Sequence, residues 1–277
     1  MTTENSQIAF HIGPWKTGST YLQQYVFSRL TNVEVLRNPS LHVLLRRCVA
    51  GGRILVTSED LSGVPYGKDY ALRRKKMVET LGASFPGSAL IVVLRDPATM
   101  IPSLYFQYVK RGGSRPFDEF FHEKLDVDAF RPEALLNAVE HSGFSKVSVF
   151  FFEDLFGDKG QEDEILKVFD DWEYRPVAVI RGRGANVSLK RNGARLLRGI
   201  NYIAFRLGMG DRDRMPLLNG YRLRRLRLAP ASLLTSWAFR WIDRTGSNLA
   251  TEAWPEALDE LSCEYSTLKD HHQKTIV

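Results

Sequence analysis

Hydrophobic residues in the first two thirds of the chain fall in short unbroken runs, separated by longer stretches of helical period. Four runs read as strands: residues 7–12, 53–57, 90–94 and 146–152. Val, Ile, Leu and Phe dominate them and barely alternate with polar residues, which is the pattern of strands covered on both faces. Apolar positions recur at helical spacing over residues 19–29, 41–49, 70–85, 99–110, 132–141 and 163–170. Pro102 stands one turn inside its segment, so that helix is expected to start late or bend. Strand and helix signals in alternation imply an α/β fold with a mostly parallel central sheet flanked by helices.

Beyond about residue 176 the character changes. Arg181-Gly182-Arg183-Gly184 reads as a basic turn, and ten arginines lie between Arg191 and Arg227, interleaved with Leu, Ile and Tyr. Helices with one basic face are expected there. Trp237, Phe239 and Trp241 follow within a further apolar stretch. We therefore expect an α/β core over residues 1–180 and a helical, Arg-rich part over 181–277 packed on it. Solvated arginines are the plain account of that part; a surface for an acidic acceptor or an anionic membrane is the sharper one. The polar tail from Thr267 onward is expected to fray.

Composition narrows the classes. The chain has 277 residues, 44% hydrophobic and 25% charged, which suits a folded globular protein with a sizeable core. No leader pattern and no run of the roughly 18–20 apolar residues of a membrane span is legible, so a cytoplasmic location is expected. Cys48 and Cys263 are far apart in sequence and read as reduced thiols. A net charge of +6 calls for anionic partners: a donor, an acceptor or a membrane surface. Nucleic acid is set aside, because the basic residues are not interleaved with stacking aromatics in a recognisable module.

Residues 8–24 carry the most chemistry. A strand enters a turn bounded by Gly13 and Gly18, and a helix opens at Ser19-Thr20. Backbone N–H groups at a helix mouth, together with the helix dipole, make an anion cradle. The two glycines stand where a nucleotide-binding loop, G-x-x-x-x-G-K-[ST], would place them. That pattern needs Lys directly after the second Gly; here Ser19 occupies the position and the lysine is Lys16, inside the loop. A lysine so placed does not match the geometry of a Mg·ATP enzyme, whose lysine reaches the β- and γ-phosphates beside the metal.

Lys16-Thr17-Gly18-Ser19-Thr20, preceded by a strand and followed by Leu22, resembles the 5′-phosphosulfate loop of sulfotransferases that use 3′-phosphoadenosine-5′-phosphosulfate (PAPS). A second segment, Ala89 to Pro97, is an apolar strand ending in Arg95, with Ser103 eight residues on. In that family an Arg and a Ser so spaced bind the donor's 3′-phosphate. A third, softer match is the strand from Val147 that runs into Glu153-Asp154. The resemblance covers the first two thirds of the chain.

What it implies is a PAPS-dependent sulfuryl transfer that needs no metal and leaves adenosine 3′,5′-bisphosphate (PAP). Lys16 would stabilise charge on the departing oxygen. Thr17, Gly18, Ser19 and Thr20 would hold the 5′-phosphate, and helix capping alone would also account for their types. Arg95 and Ser103 would bind the 3′-phosphate, the group that separates PAPS from ATP. Family members often close a late basic glycine loop over that phosphate; Arg181, Arg183 and residues 186–188 stand there, in a form that departs from the usual Arg-Lys-Gly. Glu59, just past the second predicted strand, is the candidate general base, as in sulfotransferases that modify glycans. Its rival account is a helix first turn capped by Ser58. His11 and His42 are the other bases considered, with His11 better read as a packed core histidine. Glu153 and Asp154 read best as a helix cap. A hydroxyl or amine acceptor is expected, on a glycan, a glycolipid or another molecule; a nucleotide or small-molecule kinase with an altered loop, and a nucleotide-binding scaffold without activity, are the alternatives.

Overall fold

The computed structural model describes residues 6–156, 162–168, 173, 191–213 and 255–275. The chain divides into two compact units: residues 1–97, 125–185 and 259–277, and residues 98–124 and 186–258. The boundary expected near residue 180 lies outside the described residues.

The first unit is built on five strands, β1 (Ser6–Ile12), β2 (Glu34–Arg37), β3 (Gly52–Thr57), β4 (Ala89–Leu94) and β5 (Lys146–Phe151). They lie in the order β2-β3-β1-β4-β5, and every pairing is parallel. The expected α/β architecture is therefore present, with one strand more than the hydrophobic runs indicated. β2 is a short edge strand whose four residues are exposed or half-buried, so it carries no apolar run to be read.

Alternate residues of the inner strands feed two cores. Phe10, Ile12, Ile54, Val56, Leu90, Val92 and Leu94 point to one face, where Val78 and Leu81 of α3 (Tyr70–Ser84) and Leu135 and Val139 of α6 (Pro132–Glu140) cover them. Ala9, Leu55, Ile91 and Val93 point to the other, against Leu22, Val26, Phe27 and Leu155. Coverage of both faces is why these strands read as unbroken apolar runs.

Several elements differ from expectation. The single helix expected over 19–29 is one turn of α1 (Ser19–Tyr21), a π-turn over Leu22–Val26 and a 3-10 turn over Phe27–Arg29. The segment expected over 163–170 is a 3-10 turn at Glu162–Val168. α2 (Leu41–Ala50), α3 and α6 fall within one residue of expectation. The tail expected to fray from Thr267 is instead the second half of α9 (Glu256–Thr275), whose Leu258, Leu261 and Tyr265 are buried at helical spacing.

In the second unit, α4 (Pro97–Lys110) starts earlier than expected and carries Pro102 within it. Its Tyr105 and Tyr108 rings pack on Phe117 and Phe120 of α5 (Phe117–Lys124), at centroid distances of 4.9–5.3 Å. Asn201 of α8 (Arg191–Arg206) is fully buried and donates to the carbonyls of Val109 and Gly113, both at 2.9 Å. Arg115 donates to Asp213 at 2.7 Å.

Candidate functional site

Parallel strands place their carboxyl ends along one edge, and in open α/β sheets that edge carries the ligand crevice where the strand order reverses. Here β3, β1, β4 and β5 are neighbours, and the chain crosses from the β2-β3 side to the β4-β5 side over β1. The residues after their carboxyl ends are Ser58-Glu59, the loop from Gly13 to Gly18, Arg95-Asp96 and Phe152-Glu153-Asp154. The sheet thus brings to one edge four segments singled out from sequence, among them Lys16 and Arg95, 79 residues apart.

The loop after β1 is held in an unusual backbone state. Lys16 has φ +76° and Gly18 φ +81°, so two left-handed residues shape the turn. A lysine there carries a conformational cost that glycine would not, a feature concentrated at functional sites. Gly18 is required for a second reason: a Cβ would sit 2.5 Å from the Phe156 ring and 3.2 Å from the Phe152 ring. Both rings belong to α7 (Phe152–Phe156). The Thr17 hydroxyl is buried and donates to the Pro14 carbonyl at 2.8 Å, so it holds the loop closed on itself. Ser19, one residue past the Gly18 cap, is 1% exposed and its Oγ has no partner. A buried hydroxyl without a partner at a helix mouth is what an incoming anion would satisfy.

Glu59 is half-buried and opens a 3-10 turn, Glu59–Ser62, directly after β3. The Ser58 hydroxyl accepts the Asp60 N–H at 3.2 Å, so the capping account of this segment holds as well. Ser62 Oγ lies 2.8 Å from the carbonyls of both Gly13 and Glu59, which share its one proton. The Gly13 contact ties the turn bearing Glu59 to the start of the loop after β1.

Arg95 leaves the end of β4 and donates from Nη1 to the Lys16 carbonyl at 2.6 Å. Its guanidinium lies over the Phe152 ring, 4.4 Å from the centroid. Burial pushes it below the usual arginine range, opposed by the charges of Glu153 and then Asp96; it remains a cation. The residue expected to meet a 3′-phosphate is thus also a strut for the loop. Ser103 belongs to the second unit, midway along α4, with its side chain half-buried. Arg181, Arg183 and residues 186–188 lie outside the described residues.

His11 is a core histidine, 1% exposed, with Nδ1 2.8 Å from Thr57 Oγ1 and its ring edge-on to Phe27. Burial pushes its pKa down to about 3, so it stays neutral. His42 is exposed on α2. Glu153 and Asp154 stand in the first turn of α7, and their carboxylates also reach partners outside that helix. Glu153 accepts the Asp96 N–H at 3.2 Å with Oε1 and the Tyr265 hydroxyl with Oε2, while Asp154 pairs with Lys269 at 2.6 Å. Sequence reading missed Tyr265, Ser62 and the two phenylalanines; only a buried helical stripe through Tyr265 was there to be found.

No protein-family model matches the chain, and no curated protein does. Among solved structures, a sulfotransferase from Alicyclobacillus acidocaldarius is similar over 73% of this chain and 95% of that one, at 14% identity and a TM-score of 0.40. The genome packaging NTPase B204 of Sulfolobus turreted icosahedral virus 2, solved with ATP-gammaS, is similar over 55% of this chain and 66% of that one, at 12% identity and a TM-score of 0.18. Likeness of this degree assigns no residue a role. Among the described residues, no helix is long and apolar enough to cross a membrane.

Proposed function

We propose that the protein transfers a sulfuryl group from PAPS to a hydroxyl, on a glycan or glycolipid acceptor. The loop of residues 13–20 carries this reading. It is an anion cradle at the mouth of α1, with a lysine within the turn at Lys16 and Ser19 where a Mg·ATP enzyme would need lysine. The residues fit the 5′ end of such a donor: backbone N–H groups of the first helical turn and the buried Ser19 hydroxyl meet the phosphate.

In the reaction the acceptor oxygen forms a bond to sulfur as the bond from sulfur to the phosphate oxygen breaks. Lys16 supplies positive charge to that departing oxygen, and Glu59 takes the acceptor's proton. Arg95, at the end of β4, discriminates for the 3′-phosphate. The electrostatic work falls to side chains, so no metal is required by this scheme. The acceptor is a proposal from the type of base alone.

The test is calorimetric titration of the full chain with PAP in EDTA, and with ATP plus Mg²⁺. Micromolar PAP binding without metal, with ATP far weaker, is the expected result. Tight Mg·ATP binding without preference for a 3′-phosphate would replace this reading with a kinase.

A further inference from the structure

The phosphate loop is held from behind by a chain of contacts that begins 249 residues away from Lys16, on the C-terminal helix. Tyr265 of α9 is 3% exposed and its hydroxyl donates to Glu153 Oε2. The other oxygen of Glu153 accepts the backbone N–H of Asp96. Asp96 follows Arg95, whose Nη1 donates to the carbonyl of Lys16. That carbonyl belongs to the left-handed residue at the centre of the loop.

The same short helix reaches the loop by a second route. Phe152 lies under the Arg95 guanidinium, and the rings of Phe152 and Phe156 occupy the space a Cβ on Gly18 would need. α9 fixes that helix at one further point, the Lys269–Asp154 pair at 2.6 Å, and packs Tyr265 edge-on against Phe151 at the end of β5, 5.6 Å between centroids. We infer that Tyr265 is a positioning residue: through Glu153 it sets the Arg95-Asp96 turn, and through Arg95 it holds Lys16 and its loop in the anion-binding conformation.

The physical logic is local. A half-buried carboxylate is best held when both oxygens accept hydrogen bonds, and bonds to a charged group are the stronger class. Burial and the Glu153 hydrogen bond push the Tyr265 hydroxyl well above the usual phenol range, so it is a fixed donor at every working pH. Without that donor Glu153 can turn, the Asp96 N–H loses its acceptor, and Arg95 is no longer aimed. A left-handed lysine is the conformation most prone to relax when its support loosens.

The link to donor binding rests on the sulfotransferase reading; the mechanical link does not. The test is therefore Tyr265→Phe in the full chain, read by amide hydrogen exchange and by PAP calorimetry. Phe keeps the ring on Phe151 and removes only the donor. The control is Glu264→Gln, which weakens the Arg131–Glu264 pair on the same helix without touching Glu153. Tyr265→Phe should raise exchange over residues 13–20 several-fold and weaken PAP binding about three- to tenfold, part of what one hydrogen bond to a charged group provides. With an active enzyme, the donor KM should rise while kcat stays within about twofold. Glu264→Gln should leave loop exchange and PAP affinity at wild-type values. Unchanged loop exchange in Tyr265→Phe, or an equal rise in Glu264→Gln, overturns the inference. Raised exchange in a protein whose wild type does not bind PAP keeps the inference and removes the sulfotransferase reading.

Discussion

Replacing Gly18 by Ala introduces two separable costs. The residue sits at φ +81°, where an L side chain loses about 1–2 kcal/mol relative to glycine. Lower entropy of the unfolded chain returns about 0.4–1 kcal/mol. The new methyl would also lie 2.5 Å from Phe156 Cε2 and 2.7 Å from its Cζ. Since Phe156 packs on Phe152 at 4.7 Å and edge-on to Tyr21 at 5.2 Å, it cannot swing away without disturbing both. Overpacking of that kind costs about 1–3 kcal/mol. The sum, roughly 1–4.5 kcal/mol, is a sizeable fraction of a typical folding free energy. Gly87 provides the reference: its φ is +82°, but a Cβ there meets nothing within 4 Å, so Gly87→Ala should show only the backbone part, under about 1.5 kcal/mol. Urea denaturation of both variants, with m unchanged, measures the difference. Phe156→Leu in the Gly18→Ala background should recover part of it in a double-mutant cycle. If Gly18→Ala is no more destabilised than Gly87→Ala, the close approach of α7 to the loop is not what holds Gly18.

Gly82→Ala should be worse still, above about 3 kcal/mol, because its Cβ would fall 1.7 Å from the Ser142 carbonyl oxygen and backbone cannot step aside; thermal unfolding checks it. His11 is neutral in the fold, with a pKa of about 3 against an ordinary 6.5, so the unfolded chain binds the extra proton. Stability is full above about pH 6.5 and falls as pH drops toward 3, by up to tenfold in the folding constant per pH unit; His11→Asn should flatten that slope in urea titrations. Lys16→Ala should cut turnover by about 10²–10³ with donor affinity less affected, and near-normal turnover would end the proposed role. Glu59→Gln should likewise lower kcat more than donor affinity, measured by steady-state kinetics beside PAP calorimetry.

Much of the sheet and the outline of the loop were legible in the sequence. β1, β3 and β4 are covered on both faces, so burial writes itself into composition as unbroken apolar runs, while the edge strand β5 is exposed or half-buried up to Phe151 and was legible from its Val and Phe residues. β2 was not legible, since Glu34–Arg37 is short and exposed or half-buried, with only Val35 and Leu36 between two charged residues to mark it. α5 was missed although Phe117, Phe120 and Phe121 mark one buried face. Its eight residues lie among charged neighbours and give the periodicity little length to build on.

The sequence by itself determined what is local: a strand, a glycine-bounded turn and a helix mouth with Lys16 inside it. Such features depend on spacing over a few residues, and backbone sterics act at that range. Only the tertiary structure decided what the loop leans on. Strand order places Glu59, Arg95 and Glu153 along the same sheet edge, and Tyr265 reaches Glu153 across 112 residues of chain. No periodicity carries such a pairing, because it arises from packing one helix against the end of one strand. Arg95 shows the division most directly: its residue type suggested an anion contact, and the fold gives it a backbone carbonyl to hold.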